Sequence, residues 1–247
     1  MLLVWAALGL LGTSPEPAAA PLFPQGFGKK RIYLDPGHGF AWNTGNISVR
    51  CEREEDFTLR AAQDLAARLK NTGHFTVRLS RAPGNRRISY ESRVAEADAW
   101  GAHAFLSLHS DTRGLALPVA VHQGLTCSQN SDDPGFAILF NDDAAEPLLS
   151  RRASLARALA RWMKGVGFSP YDGRDYVGLY AQDPVEAGVF ADRRGGRVYV
   201  LRKPRMPSAI IETHHALDPR EVAQWDEPAT QQAFALAVAQ ALVDALR

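Results

Sequence analysis

Cysteine is scarce in this chain of 247 residues: Cys51 and Cys127 are the only two. Thiols that far apart match neither the C-x-x-C spacing of a thiolate metal site nor that of a dithiol redox centre. In an oxidising compartment they are free to form one disulfide across a large loop, stabilising the fold by about 3–4 kcal/mol. In a reducing one they stay as two free thiols. Net charge is equally sparse, +1 at pH 7, which excludes a global electrostatic case for nucleic acid or for an anionic membrane surface. Beyond Leu11 no apolar run approaches the length of a membrane span. The chain has no H-E-x-x-H, no G-x-S-x-G and no phosphate-binding G-x-x-x-x-G-K-[ST], so the commonest hydrolase and nucleotide templates fail. Internal repeats and low-complexity tails are absent as well.

What is present begins with a short apolar run, Leu2 to Leu11, followed by small residues through Ala20. Residues 1–20 match the core and cleavage region of a secretory signal, which places the protein in the periplasm or outside the cell with no membrane span once the signal is removed. No basic residue precedes the run, and an uncleaved anchor or a misplaced start codon are the alternatives. Pro21 to Lys30 reads as a linker, and residues 31–247 as one domain. A composition of 46% hydrophobic and 22% charged residues is ample for a single buried core.

Strand-like runs occur at Ile32–Leu34, Phe75–Leu79, Ala104–Leu108, Val119–His122, Phe136–Phe140, Val198–Leu201 and Ala209–Ile211. Helical spacing lies between several of them. Leu59, Ala62, Leu65, Ala66 and Leu69 share a face, as do Leu155, Leu159, Trp162 and Val166, and Phe234, Val238, Ala241, Leu242 and Ala245. The alternation predicts an α/β fold: a single domain with a mainly parallel twisted sheet and helices on both faces. Arg151, Arg152, Arg157, Arg161 and Lys164 interleave with the second stripe and read as a solvated helix face.

Polar residues interrupt these runs at telling places. Ile32-Tyr-Leu breaks into Asp35-Pro-Gly-His38-Gly, a rigid turn that presents His38. Ala104–Leu108 runs into His109, and Ala209-Ile-Ile runs into Glu212. Ligands of open α/β sheets sit at the carboxyl ends of strands, so these three can converge. Glu54 joins them at the entry to the first helix, with Glu52 and Glu55 as rivals, and acidic residues there are favoured by the helix dipole in any case. Two imidazoles and one carboxylate make a three-ligand zinc set with an open position, and a second, unligated carboxylate can serve as base. The alternative for Glu212 is an ion pair with Arg202 or Arg205. Asp111 is placed to orient a ligand or to cap the next turn. His214 and His215 are candidates for stabilising an oxyanion or for a fourth ligand. His122 is a weaker ligand candidate, while His74 and His103 fall at the wrong end of the sheet.

These residues resemble the zinc-dependent N-acetylmuramoyl-L-alanine amidases of the Amidase_3 type. The matching stretches are Ile32–Gly39, Glu54–Leu59, Leu79–Arg81, Arg93–Ala97, Phe105–Asp111 and Val198–Glu212. The resemblance implies one Zn2+ per chain held by His38, Glu54 and His109, with Glu212 as the catalytic carboxylate. Asp35, Asp111, His214 and His215 are candidates for substrate contact or for supporting the ligands. Its implied partner is peptidoglycan, cut between N-acetylmuramic acid and the L-alanine of the stem peptide. A candidate activator protein enters because some relatives carry an occluding helix that a partner displaces. Part of Gly135 to Val189, around Asn141–Pro147, is the expected gate here. Thr213-His214-His215 departs from the glycine and apolar run usual in the family after the glutamate. The rival functions are a zinc amidohydrolase or peptidase of another substrate, and a non-catalytic peptidoglycan-binding or regulatory protein on the same fold.

Overall fold

The computed structural model describes residues 20–84, 88–193 and 198–247. Residues 1–19, on which the expected secretory signal falls, lie outside them. The strands are β1 Lys30–Pro36, β2 Phe75–Leu79, β3 Ala104–Asp111, β4 Leu117–His122, β5 Leu125–Gln129, β6 Ala137–Asn141, β7 Ala181–Gln182, β8 Val189–Asp192 and β9 Ser208–His215. The helices are α1 Glu54–Asn71, α2 Tyr90–Trp100, α3 Leu148–Gly165, α4 Tyr199–Arg202, α5 Pro219–Trp225 and α6 Pro228–Ala245.

Seven strands form one sheet in the order β2-β1-β3-β9-β6-β8-β7. From β2 to β9 the neighbours are parallel, β6 runs antiparallel to β9, and β8 is parallel to β6. The central strands are buried on both faces, as the unbroken apolar runs Ile32–Leu34 and Ala104–Leu106 require. One face carries α1, α3 and α6. There Ala62, Leu65, Leu155, Leu159, Phe234, Val238 and Leu242 pack on Ile32, Leu34, Leu106 and Ile211. On the other face Val94, Ala97, Val200 and Leu201 from α2 and α4 pack with Tyr33, Phe105, Leu139 and Ile210. Helices therefore cover both faces of a mostly parallel sheet, in line with the expectation.

Three local expectations are corrected. Val198–Leu201 is not a strand: Val198 precedes the single turn α4, whose Val200 and Leu201 are buried. Four apolar residues are too few for periodicity to separate strand from helix. Arg152 is not on a solvated face. It is fully buried and donates to the carbonyls of Arg202 and Pro204, whereas Arg157, Arg161 and Lys164 pair with Asp183, Asp244 and Glu186. Finally, β6 pairs Ala137 with Glu212 and Leu139 with Ile210, so it climbs away from the carboxyl end of β9. The Asn141–Pro147 segment sits at the opposite end of the sheet and cannot gate a site at Glu212.

The Val119–His122 run lies in β4, which pairs with β5 in a two-stranded hairpin outside the main sheet. Cys51 and Cys127 are joined by a disulfide that ties this hairpin to the turn before α1. Ahead of β1, Phe23 stacks on His74 with centroids 3.9 Å apart, and Phe27 meets Phe75 edge-on, so this stretch is docked on the domain.

Candidate metal centre

β1 and β3 are adjacent and parallel, with Pro36 opposite Leu108, so the turns leaving them place His38 and His109 side by side. Glu54 is the first residue of α1 and reaches the same point from the helix start. One ligand atom from each of His38, Glu54 and His109 lies within 4.8 Å of the others. His38 Nε2 is 3.0 Å from Glu54 Oε2, His109 Nδ1 is 2.9 Å from Glu54 Oε1, and the two ring nitrogens are 3.1 Å apart.

Each imidazole is held by its other nitrogen. His38 Nδ1 is 2.9 Å from Asn43 Oδ1, an obligate acceptor, which leaves Nε2 as the lone-pair nitrogen facing the centre. His109 Nε2 lies 3.2 Å from Ser107 Oγ, and that hydroxyl donates to Asp35 Oδ2 at 2.8 Å. Asp35 thus stands behind His109 through Ser107. Asn46 Nδ2 donates to Glu54 Oε2 at 2.9 Å, and the amide of Ser110 donates to Oε1 at 3.1 Å.

The turn is clamped from below by two buried arginines. Arg93 donates to Asp35 Oδ1 and to the carbonyls of Pro36 and His38, and Arg81 donates to the carbonyls of Pro36, Gly37 and Glu55. Close approach also explains two glycines. A Cβ on Gly37 would stand 2.4 Å from the His109 ring, and one on Gly45, at φ +76°, 2.5 Å from Glu54 Oε2.

The electrostatics follow from this crowding. Burial disfavours the charged form of His38, but the Glu54 carboxylate and the Asn43 hydrogen bond outweigh it and raise its pKa. Burial pushes Glu54 up, yet hydrogen bonds and charge from His109 and His38 bring it far below the usual carboxylate range. The donor set fits a zinc ion: two imidazole nitrogens with fixed orientations and one carboxylate, converging on a single point.

Glu212 is the register partner of His109 on β9. Its Oε2 is sealed from solvent and has no hydrogen-bond partner among the described residues. Burial, with the charges of Asp111 and Glu54, pushes its carboxyl well above the ordinary range, and Arg113 opposes them. Among the described residues no ion pair joins it to Arg202 or Arg205, and Arg205 faces Asp98 instead.

The remaining candidates surround this core. Asp111 caps the Thr112 amide and accepts from Arg113 Nε and the Tyr176 hydroxyl. Arg113 is fully buried, 3.9 Å from the Tyr171 ring centroid, with Nη2 unpartnered among the described residues. His214 sits between Phe57 and Trp225 and shares a hydrogen bond with Thr213, and burial lowers its pKa to about 3. The amide of His215 donates to Glu221. Glu52 pairs with Arg60, and Glu55 lies 3.7 Å from Arg53. His103 accepts from the Arg31 amide, before β3.

Sequence reasoning missed Asn43, Asn46, Ser107 and Arg113, and assigned no role to Arg81 or Arg93. Only Ser107 carried a signal, because a hydroxyl two residues before His109 in a buried strand needs a partner.

Comparison with known proteins gives one consistent result. The model of the Amidase_3 family, N-acetylmuramoyl-L-alanine amidase, matches residues 32–244. The Escherichia coli K12 protein N-acetylmuramoyl-L-alanine amidase AmiA is 25% identical over 224 residues, covering 87% of this chain and 76% of that one. The Bacillus licheniformis amidase CwlM is 36% identical over 85 residues, 34% of this chain and 32% of its own. Among solved structures, the Mycobacterium smegmatis amidase Ami1 superposes with a TM-score of 0.69 at 19% identity, covering 89% of this chain and 98% of that one.

Proposed function

The chain belongs to the Amidase_3 family of N-acetylmuramoyl-L-alanine amidases, and from that membership and the ligand geometry we propose that it is an exported zinc amidase of peptidoglycan. In this reading it hydrolyses the amide between N-acetylmuramic acid and the L-alanine of the stem peptide. The observation that carries the proposal is the meeting of His38, Glu54 and His109 ligand atoms within 4.8 Å, beside Glu212 on the next strand. The Cys51–Cys127 disulfide suits an oxidising compartment and supports export. No helix among the described residues is long and apolar enough to cross a membrane.

His38, Glu54 and His109 would hold the ion, with Asn43, Ser107 and Asn46 orienting them. A zinc ion there supplies polarisation of the amide carbonyl and a water acidic enough to ionise near pH ~7. Glu212 takes the proton of the attacking water and delivers it to the leaving nitrogen. A carboxyl raised by burial and by neighbouring carboxylates is suited to both directions of transfer. Arg113 is the buried cation whose charge opposes this rise.

The test is mass analysis of soluble products from purified peptidoglycan, using zinc-loaded protein with a chelated sample and Glu212→Gln as controls. Expected are free stem peptides beginning with L-alanine, absent after chelation and reduced by about 100-fold or more in Glu212→Gln, which keeps its zinc. Release of muropeptides with this amide intact, or near-normal turnover by Glu212→Gln, would overturn the assignment.

A further inference from the structure

A cavity of about 240 Å3 opens beside His109 on the face covered by α2 and α4. Its walls are Tyr90 from the start of α2, Val198, Tyr199 and Val200 around the start of α4, and Ile210 from β9. Val200 and Ile210 are buried, so the floor is aliphatic, while Tyr90, Val198 and Tyr199 are half-buried at the walls. Tyr90 is held rigidly. Its hydroxyl accepts from Asn43 Nδ2 at 2.9 Å, Phe40 packs on it edge-on, and the Arg93 guanidinium lies 5.1 Å from its ring centroid. Because Asn43 also binds His38, one asparagine ties a cavity wall to the metal centre.

The scissile amide of the proposed reaction has two unlike sides. On the amine side stands the methyl of L-alanine, far too small for this cavity, followed by carboxyl-bearing peptide residues. A carboxylate entering here would find apolar walls and one fixed charge among the described lining residues, that of Asp35. Asp35 is itself an anion and is already engaged by Ser80, Arg93 and Ser107. Burying a second carboxylate beside it without a partner is costly. On the acyl side the lactyl ether carries an uncharged N-acetylated pyranose, with apolar C–H faces and a polar rim. Aromatic and aliphatic walls with a few polar groups suit such a ring.

We propose that this cavity is the subsite for the muramic acid ring, with Tyr90 and Tyr199 flanking the pyranose and Val198, Val200 and Ile210 taking its acetamido methyl. The inference rests on the amidase reading above and adds a direction: the acyl half of the amide lies on the α2–α4 side of the metal centre. It makes the sugar, and not the amide alone, a determinant of turnover.

The test compares two probes with the same amide, N-acetylmuramoyl-L-alanyl-D-isoglutamine and D-lactoyl-L-alanyl-D-isoglutamine, on the zinc-loaded protein. Expected is a kcat/KM ratio of ~10- to 100-fold in favour of the muramoyl probe. Tyr199→Ala, which empties a wall, and Val198→Phe, which fills the cavity from its rim, should each bring that ratio toward one. Equilibrium binding of both probes to zinc-loaded Glu212→Gln is the second arm, independent of turnover. At least tenfold tighter binding of the muramoyl probe, lost in the Tyr199→Ala background, supports the subsite even without hydrolysis. A ratio near one in both arms while peptidoglycan is still cleaved overturns the subsite and leaves the amidase reading intact. Equal binding with no cleavage of either probe or of peptidoglycan overturns both.

Discussion

Cys127→Ser would open a covalent loop with a sequence separation of 76 residues. Chain entropy alone gives such a crosslink about 4.5 kcal/mol of stabilisation, and measured values usually fall at 2–4 kcal/mol. The lower range is expected here, because the β4–β5 hairpin shares no ladder with the seven-stranded sheet and loosens locally before the core does. At its base the Asn130 amide still donates to the Leu217 carbonyl, the Asn130 side chain to the Arg113 carbonyl and the Gly114 amide to Asp175. The facing turn keeps the Val49 amide on the Ala216 carbonyl and the Arg50–Asp226 pair. For a domain of this size the loss corresponds to a fall in Tm of about 5–15 °C. The effect should also reach the metal centre, since Cys51 lies in the turn that leads into Glu54. Apparent zinc affinity, read by chelator competition, should weaken by about tenfold while the circular dichroism spectrum stays native. Urea and thermal unfolding of wild type and Cys127→Ser, with thiol titration of the wild type, are the assays. Coincident unfolding curves and equal zinc retention, with no free thiol in the wild type, would refute the reasoning.

Further consequences follow from single contacts. Asn46→Ala removes the side-chain donor to Glu54 but keeps the backbone one, and should weaken zinc binding by about 10- to 100-fold in chelator competition. Arg93→Met leaves Asp35 buried without its cation and should cost about 3–5 kcal/mol in urea unfolding, and adding Asp35→Asn should recover part of that. His214 has a folded pKa of about 3 against 6.5 for an ordinary histidine, so below pH 6.5 the unfolded chain binds a proton that the folded one refuses. Stability should therefore fall as pH drops from about 6.5 toward 3, by a few kcal/mol in all, and His214→Gln should flatten that slope.

The Asn141–Pro147 segment shows how a sequence reading goes astray. Its acidic, proline-broken composition suggested a gate, yet position decides whether such a segment can gate anything. Strand direction is not written in local pattern: β6 has the same apolar run whether it runs with β9 or against it. Only the pairing of Ala137 with Glu212 reveals that the segment points away from the site. The single turn α4 illustrates the complementary limit, since Val198-Tyr-Val-Leu is equally apolar as a strand or as one helical turn.

The sequence alone determined the layered α/β class, through apolar runs alternating with helical stripes, and the candidate metal-ligating residue types, through polar residues that end such runs. These are local signals, since a buried strand must be apolar and a turn with His38 at its tip needs proline and glycine. Spacing left Glu52 and Glu55 as rivals of Glu54, which only the resemblance singled out; tertiary structure shows Glu54 facing the imidazoles and alone decided which side chains hold those imidazoles in place. It also decided that Asp35 serves His109 through Ser107, and that a tyrosine-walled cavity opens beside the centre. Those outcomes depend on distances between residues far apart in the chain. Hydrogen bonds and ligand geometry are set at tenths of an ångström, a scale that composition and periodicity do not encode.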